Sequence, residues 1–196
     1  MTEAGSAAVQ LRLYGEHNVT NALAAAALAG QLGMAVGAIA DGLSAAQARS
    51  RWRMEVTERP DGVTIINDAW NTNPAALRAA LATLAVMARG RRAFAVLGHM
   101  RELGAQADEL NEQAGALAAR TGVAGLIVVG DGAAPMLAGA KAEPSWPGEL
   151  LHVTDGPAAA AALRERLRPG DVVLVKASRA AALQGVALAL TGEAAL

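Results

Sequence analysis

The chain alternates short, largely apolar runs with alanine-rich segments of helical length, and this alternation constrains its fold more than any other feature. The apolar runs cover residues 62–67, 92–97, 125–130, 149–153 and 171–175. Such runs are typical of strands that are buried on both faces of a sheet. Because each run is followed by a helical segment, we predict an α/β fold. Its centre is a doubly wound, Rossmann-like and mostly parallel sheet between two layers of helices.

Further segments complete the predicted domain. Strand 54–58 is expected to pair with strand 62–67 through the turn Pro60-Asp61-Gly62. Helices are predicted over residues 74–89, 106–121, 132–140, 156–167 and 179–190. All the parallel strands then end at one edge of the sheet, which is where open α/β sheets bind their ligands.

The first fifty residues follow a different pattern. They predict one strand, 7–14, and two helices, 19–32 and 36–46. One strand and two helices are too few to build an independent hydrophobic core. We therefore expect this segment to pack on the rest of the chain or to be a remnant of another domain.

Composition excludes several classes of function. The 196 residues carry 17 basic and 18 acidic side chains, and this balance argues against binding to nucleic acid or to an anionic membrane. The absence of cysteine excludes disulfides, thiolate catalysis and zinc–thiolate sites, and the three histidines lack metal-ligand spacing. No apolar run is long enough to span a bilayer, and the amino terminus does not resemble a signal peptide, so we expect a cytoplasmic protein.

Polar side chains crowd the end of strand 62–67. Asn67, Asp68, Asn71 and Asn73 fall within seven positions, and a proline then opens the next helix. Carboxylate and amide groups at this edge of the sheet are candidate ligand contacts. The alternative is that Asp68 and Asn73 only tie the turn and cap the helix.

A second polar group follows the last strand. Lys176, Ser178 and Arg179 are predicted at the amino end of helix 179–190, where free N–H groups and the helix dipole favour an anion. The alternative is that the two cations are solvated rim charges paired with Asp171 or Glu102.

Two further groups lie nearer the amino terminus. Asn18 and Asn21 follow His17 and are three residues apart, so both can face one side of a helix and contact an adenine edge. Helix capping is the alternative. Three arginines alternate at Arg49, Arg51 and Arg53. We expect them either to form a solvated linker or to contact a triphosphate. The sequence contains no Gly-x-x-x-x-Gly-Lys-Ser/Thr and therefore has no phosphate-cradling loop of its own.

Together, these stretches resemble the Mur ligases, the ATP-dependent amide ligases of peptidoglycan synthesis. Among them they resemble the branch that adds D-alanyl-D-alanine (D-Ala-D-Ala) to UDP-N-acetylmuramoyl-tripeptide (UDP-MurNAc-tripeptide). The resemblance rests on five motifs in the order and spacing of that family, at residues 15–26, 53–56, 67–74, 98–104 and 170–179.

The resemblance implies a division of the chain into two parts. Residues 1–53 would be the C-terminal end of a central ATP-binding domain plus a linker, and residues 54–196 the C-terminal Rossmann-like domain. The phosphate-loop part of the central domain and the domain that binds the UDP substrate would be missing in cis. The chain alone would then hold no catalytic residue and no metal ligand, and would be inactive.

The resemblance also implies a reaction. ATP with Mg²⁺ phosphorylates the tripeptide carboxylate, and the amine of D-Ala-D-Ala attacks the acyl phosphate. The expected partners are thus small molecules, and neither ATP nor Mg²⁺ should bind tightly to this chain alone. Carried over by motif, the nucleotide-binding residues are His17, Asn18, Asn21, Arg53 and Asp68. The residues that bind the amino substrate are Asn71, Asn73, Lys176, Ser178 and Arg179.

Four departures from the family pattern put the amino substrate in doubt. Trp70 replaces the usual Tyr, Thr72 an Ala, His99 an acidic residue and Ala177 a Gly. A methyl group at 177 matters if that position requires a positive φ or a close approach of the dipeptide. Two alternatives stay open: a non-catalytic binding or subunit module of the same fold, and a related ligase for another amino substrate.

Overall fold

The structure is a computed structural model that describes residues 5–48 and 50–192, so Arg49 lies outside the described residues. The chain divides into two compact units, Met1–Ser50 and Arg51–Leu196. None of the described helices is long and apolar enough to cross a membrane.

The first unit contains two helices, α1 (His17–Gln31) and α2 (Val36–Ala45). The predicted strand 7–14 is wrong, because residues 6–14 form no strand. A strand needs a neighbour for its backbone N–H and C=O groups, and the described part of this unit shows only an isolated bridge at Gly5. Ala40 is the one buried hydrophobic residue among residues 5–48, and α1 buries none. The expectation that this segment builds no core of its own is confirmed.

The second unit is built on a six-stranded sheet in the order β1-β2-β6-β3-β4-β5. β1 runs antiparallel to β2, as predicted from the turn at residues 60–62, and every other pair of neighbours is parallel. The predicted mostly parallel sheet is confirmed. The strands are β1 (Glu55–Glu58), β2 (Thr64–Asp68), β3 (Ala93–Gly98), β4 (Gly125–Val129), β5 (Glu149–Val153) and β6 (Val172–Lys176).

Helices cover both faces of this sheet. One face packs against α3 (Pro74–Met87), α4 (Ala107–Arg120) and α5 (Pro135–Lys141), and the other against α6 (Gly156–Arg166) and α7 (Gln184–Thr191). Alternate residues of β6 enter the two cores: Leu174 faces the first layer, and Val173 and Val175 face the second. Burial on both faces is the reason that β3, β4 and most of β6 are apolar.

Helices α4 and α5 approach each other so closely that glycine is required at two points. A Cβ atom at Gly115 would lie 1.9 Å from the carbonyl oxygen of Met136. A Cβ atom at Gly139 would lie 1.8 Å from the carbonyl oxygen of Glu112. Both neighbours are backbone atoms, so neither overlap can be relieved by a change of rotamer.

Candidate functional site

The carboxyl ends of β2, β6 and β3 lie side by side in the sheet. Lys176 at the end of β6 is opposite Asp68 on β2 and opposite Leu97 on β3. The last strand of the chain thus lies between the second and the third. Such a change in strand order opens a crevice at the carboxyl edge, where open α/β sheets bind ligands.

A buried ion pair joins the ends of β2 and β6. Lys176 Nζ lies 2.6 Å from Asp68 Oδ2 and donates to the Asn71 carbonyl at 2.9 Å. The side chain of Lys176 is only 2% exposed, and that of Asp68 is 13% exposed. The alternative that Lys176 is a solvated rim charge paired with Asp171 or Glu102 is wrong, since a buried ammonium requires a partner within the core.

Asp68 also ties β1 to the site. Its second oxygen, Oδ1, accepts a hydrogen bond from the backbone N–H of Met54 at 3.0 Å. Both carboxylate oxygens therefore have donors inside the protein. The interpretation that Asp68 ties the turn is confirmed, and its contact with a nucleotide stays a prediction.

Asn71 and Asn73 lie on the loop between β2 and α3. Asn73 Oδ1 accepts a hydrogen bond from the N–H of Ala76 at 2.8 Å, which confirms that Asn73 caps α3. Asn71 Oδ1 accepts a hydrogen bond from the N–H of Thr72 at 2.9 Å. Both asparagines are exposed, and neither side-chain NH₂ group donates to another described residue. Each amide can therefore donate to a ligand.

Two arginine side chains form cation–π contacts with the indole ring of Trp70. Arg179 Cζ lies 4.5 Å from the ring centroid, and Arg53 Cζ lies 5.5 Å from it. Such cation–π contacts contribute about 0.5–1 kcal/mol each at exposed sites. Neither guanidinium forms an ion pair or a hydrogen bond within the described residues. The structure thus brings together Arg53, predicted to bind the nucleotide, and Arg179, predicted to bind the amino substrate.

Trp52 extends this aromatic cluster, and sequence reasoning missed it. Its ring centroid lies 5.9 Å from that of Trp70, and Arg51 lies 5.7 Å from the Trp52 ring. A φ of 61° places Trp52 in the left-handed region, at a cost of about 1–2 kcal/mol for a bulky residue. Two hydrogen bonds hold it there: Trp70 N donates to Trp52 O at 3.1 Å, and Trp52 N donates to Glu55 Oε2 at 3.0 Å. The available signal was that two of the chain's three tryptophans flank β1 and β2.

The segment after β6 does not begin a long helix at residue 179. Arg179–Ala181 is a single 3-10 turn, Ala182 has a left-handed φ of 51°, and α7 begins only at Gln184. A left-handed residue cannot continue a right-handed helix, so the predicted helix 179–190 is wrong. The anion site at Lys176, Ser178 and Arg179 stays a prediction, without a long helix that begins at residue 179. Positive charge at this edge comes from side chains and not from a helix dipole.

Ser178 lies next to this turn and carries an unpaired hydroxyl. Only 8% of the residue is exposed, and its Oγ atom has no hydrogen-bond partner in the described part of the chain. A buried polar atom without a partner costs about 1–3 kcal/mol. A ligand atom that hydrogen bonds to Ser178 would remove that cost.

The loop after β3 is fixed by a buried asparagine that the sequence did not single out. Asn111 Oδ1 accepts a hydrogen bond from Met100 N at 3.1 Å, and Asn111 Nδ2 donates to Met100 O at 3.3 Å and to Ala107 O at 2.8 Å. Within a helical pattern Asn111 resembles any exposed polar residue, so no signal marked it. Half-buried His99 covers the turn after β4, since a Cβ at Gly132 would lie 2.7 Å from His99 Nδ1.

His17, Asn18 and Asn21 lie together in the first unit, at the start of α1. Asn21 Nδ2 donates to Asn18 Oδ1 at 3.2 Å, and Asn18 Nδ2 donates to Tyr14 O at 2.8 Å. The predicted shared face of the two asparagines is confirmed. The alternative that they cap the helix is wrong, because α1 begins at His17 after Glu16 and has no side-chain cap.

Comparison with known proteins identifies the family of this domain. The family model of the Mur ligase, glutamate ligase domain matches residues 52–179, from the residue before Arg53 to the turn after β6. The chain belongs to the Mur ligase family. The UDP-N-acetylmuramoyl-tripeptide--D-alanyl-D-alanine ligase of Mycobacterium tuberculosis is 48% identical over an alignment that covers 95% of this chain and 40% of that ligase.

Solved Mur ligase structures share the fold. The crystal structure of MurF from Acinetobacter baumannii superposes with a TM-score of 0.81 at 27% identity, over 98% of this chain and 41% of that one. MurF from Thermotoga maritima in complex with ADP superposes with a TM-score of 0.73 at 27% identity, over 94% of this chain and 40% of that one. The chain spans 40% of the length of the curated relatives it matches.

One departure from the Mur ligase pattern has no effect on the backbone of the site. Ala177 is fully buried and is not among the residues with positive φ, so the condition of a positive φ is not met. Its methyl group occupies the space beside Gly98, where a Cβ would lie 2.9 Å from it.

Proposed function

We propose that this chain is part of an ATP-dependent ligase that adds D-Ala-D-Ala to UDP-MurNAc-tripeptide in peptidoglycan synthesis in the cytoplasm. The family and the names of its relatives support the reaction. One observation carries the role of this chain: Arg53 and Arg179 lie on one indole ring at the carboxyl edge of the sheet without an acidic partner among the described residues. Guanidinium groups of this kind bind phosphates and carboxylates, the two anionic groups that the reaction brings together.

The proposed domain organisation follows the family. Residues 1–53 are the end of a central ATP-binding domain plus a linker, and residues 54–196 are the C-terminal domain. The separation of the structure into Met1–Ser50 and Arg51–Leu196 supports a boundary in this region. The phosphate-loop and UDP-substrate domains belong to the remainder of such a ligase.

Five residues are proposed to serve the nucleotide. His17, Asn18 and Asn21 contact the adenine end, Arg53 contacts the phosphates, and Asp68 orients the segment that carries Arg53. The hydrogen bond from Met54 N to Asp68 supports this indirect role, because it fixes the backbone next to Arg53. A bound ADP in the T. maritima relative supports a nucleotide site in this family.

The other five are proposed to serve the amino substrate. Arg179 binds the carboxylate of D-Ala-D-Ala, Ser178 hydrogen bonds to it, and the free amides of Asn71 and Asn73 line the same side. Lys176 has a positioning role, since its ammonium is already engaged by Asp68 and the Asn71 carbonyl.

The chain contributes binding and orientation to the reaction. ATP supplies the phosphoryl group that activates the tripeptide carboxylate, and the dipeptide amine then attacks. Holding the dipeptide by its carboxylate aims the amine at the acyl phosphate, and the nearby cations stabilise negative charge as it develops. Among residues 5–48 and 50–192, no group of three or more His, Asp or Glu side chains is placed to hold a metal ion.

A chimeric enzyme tests this proposal. The matching C-terminal part of the M. tuberculosis relative is replaced by this chain, and phosphate release is measured with and without D-Ala-D-Ala and UDP-MurNAc-tripeptide. We expect release that requires both substrates, and none from the chain alone. In the chimera, Arg179→Ala is expected to raise the KM for D-Ala-D-Ala by about 10- to 100-fold, because a charged hydrogen bond contributes about 1.5–3 kcal/mol.

Arg89→Ala is the matched control for that variant. Arg89 is also exposed, but it follows the carboxyl end of α3 and therefore lies at the opposite edge of the sheet. Its replacement should leave the KM unchanged. A folded chimera that releases no phosphate, or turnover by the chain alone, would contradict the proposal. Release with another amino substrate but not with D-Ala-D-Ala would favour a related ligase.

A further inference from the structure

Trp70 contacts two arginines to which the proposed function gives different partners. Arg53 would bind nucleotide phosphates, and Arg179 would bind the carboxylate of the amino substrate. We propose that Trp70 is the positioning residue for both guanidinium groups, so that the two anion subsites depend on one indole ring. This inference rests on the proposed function for the identity of the ligands, and on contacts within the second unit for the geometry.

The two guanidinium groups have no other anchor in the described structure. The Cζ atom of Arg179 lies 4.5 Å from the Trp70 centroid and that of Arg53 lies 5.5 Å from it, and neither guanidinium forms an ion pair or a hydrogen bond with a described residue. Both residues are exposed, and an exposed arginine has many accessible rotamers. Attraction to the face of the ring is therefore the contact that restricts where each guanidinium lies.

The ring itself is held from several sides. Trp70 is half-buried, and its backbone N–H donates to Trp52 O at 3.1 Å. Its ring packs against that of Trp52, with 5.9 Å between the ring centroids. The next residue is fixed as well, because Lys176 donates to the Asn71 carbonyl. Trp52 keeps a left-handed φ of 61° in this arrangement. A strained bulky residue that supports an aromatic ring at a ligand-binding edge is typical of a functional constraint.

The arrangement leaves the arginines able to bind anions. A guanidinium held over a ring face keeps its N–H donors, and those donors match carboxylate and phosphate oxygens. Lys176 adds no free positive charge, because Asp68 neutralises it at 2.6 Å. Arg53 and Arg179 therefore supply the uncompensated charge on this ring. Removing the ring should displace both groups at once, whereas removing one arginine should affect one subsite.

Nuclear magnetic resonance of the arginine side chains tests the geometry without any ligand. The Nε–H signals of Arg53 and Arg179 are assigned with Arg53→Lys and Arg179→Lys in this chain. We expect ring-current shifts on both signals, and we expect Trp70→Leu to move both to the position of an unstacked arginine. Trp70→Phe keeps a ring face and should retain part of both shifts. If either signal stays in place in Trp70→Leu, the proposal is wrong for that arginine.

Two further variants control for the loss of an indole ring elsewhere and for misfolding of Trp70→Leu. Trp146→Phe removes part of an indole elsewhere, where Trp146 Nε1 donates to Val123 O, and it should leave both arginine signals unchanged. Trp70→Met keeps a large apolar side chain without a ring and replaces Trp70→Leu if the latter does not fold. Shifts that survive in a folded Trp70→Met chain would overturn the proposal in the same way.

Calorimetric titration with ADP and, separately, with D-Ala-D-Ala tests the link to the ligands. We expect Arg53→Ala to lower the affinity for ADP alone and Arg179→Ala to lower the affinity for the dipeptide alone. Trp70→Leu should lower both affinities by about two- to fivefold. Trp70→Phe should restore most of that loss. Weakening of only one ligand by Trp70→Leu would overturn the shared role. Because tight nucleotide binding is not expected of this chain alone, the same titrations are made with the chimeric ligase, where a lack of binding would count against the proposed subsites. The resonance experiment decides the positioning role by itself.

Discussion

Replacing Gly115 by alanine is expected to lower the free energy of unfolding of the second unit by about 2–4 kcal/mol. The new methyl group would lie 1.9 Å from the carbonyl oxygen of Met136, far inside the contact distance of carbon and oxygen. Because that oxygen belongs to the backbone of α5, the overlap is relieved only if the two helices move apart. Separation of α4 and α5 would open the core that Met136 and Ala140 fill.

Urea denaturation followed by tryptophan fluorescence measures this effect. All three tryptophans belong to the second unit, and Trp146 packs against the core that α5 helps to form. Gly185→Ala is the matched control, because Gly185 lies in α7 and a Cβ there would meet no atom within 4 Å. It should leave stability unchanged or raise it by up to about 1 kcal/mol through helix propensity. If Gly115→Ala behaves like Gly185→Ala, the close approach of α4 and α5 is wrong.

The fold was predictable where burial of a strand on both faces produces a run of apolar residues in the sequence. Apart from Arg92 and Asp171 at their first positions, the runs that became β3, β4 and β6 are apolar, and this pattern indicated strands. The strand order was not predictable, because apolar runs do not specify their neighbours. β6 lies between β2 and β3 through long-range pairing that only the folded sheet shows.

The two errors in element assignment have local causes. Alternating apolar residues from Val9 to Leu13 predicted a strand, but alternation describes a half-exposed surface and supplies no partner for the backbone. The alanine-rich run after residue 179 predicted a helix because alanine has the highest helix propensity. Ala182 nevertheless adopts a left-handed conformation, which its residue type does not indicate.

The site was predictable in position but not in its contacts. The polar residues that follow β2 and β6 meet at one edge, as strand polarity requires. Which of them pair with each other depends on register: Lys176 is opposite Asp68, so the ammonium is buried against a carboxylate and is not free at the rim. The stacking of Trp52 on Trp70 depends on a left-handed tryptophan, for which a sequence pattern gives no warning.

The Lys176–Asp68 pair leads to the second large expected effect. Lys176→Met is expected to lower the free energy of unfolding by about 3–5 kcal/mol, because it leaves the carboxylate of Asp68 without its counter-ion in a site that is 13% exposed. The Asn71 carbonyl loses its donor as well, which frees the loop that carries Trp70, Asn71 and Asn73. In the chimeric ligase the same variant should therefore lose activity even at temperatures where it remains folded.

Two controls distinguish the two causes of lost stability: the uncompensated buried charge of Asp68 and the lost packing of the lysine stem. Arg179→Met removes an exposed cation three residues further along and should cost only about 1 kcal/mol or less. Combining Lys176→Met with Asp68→Asn removes the uncompensated charge while keeping an acceptor for Met54 N, so the double variant should be more stable than Lys176→Met alone. Equal stability of the double variant and Lys176→Met would show that packing of the lysine stem, and not its charge, stabilises this edge. That outcome would remove the reason for treating Lys176 as the residue that fixes the loop beneath the two arginines.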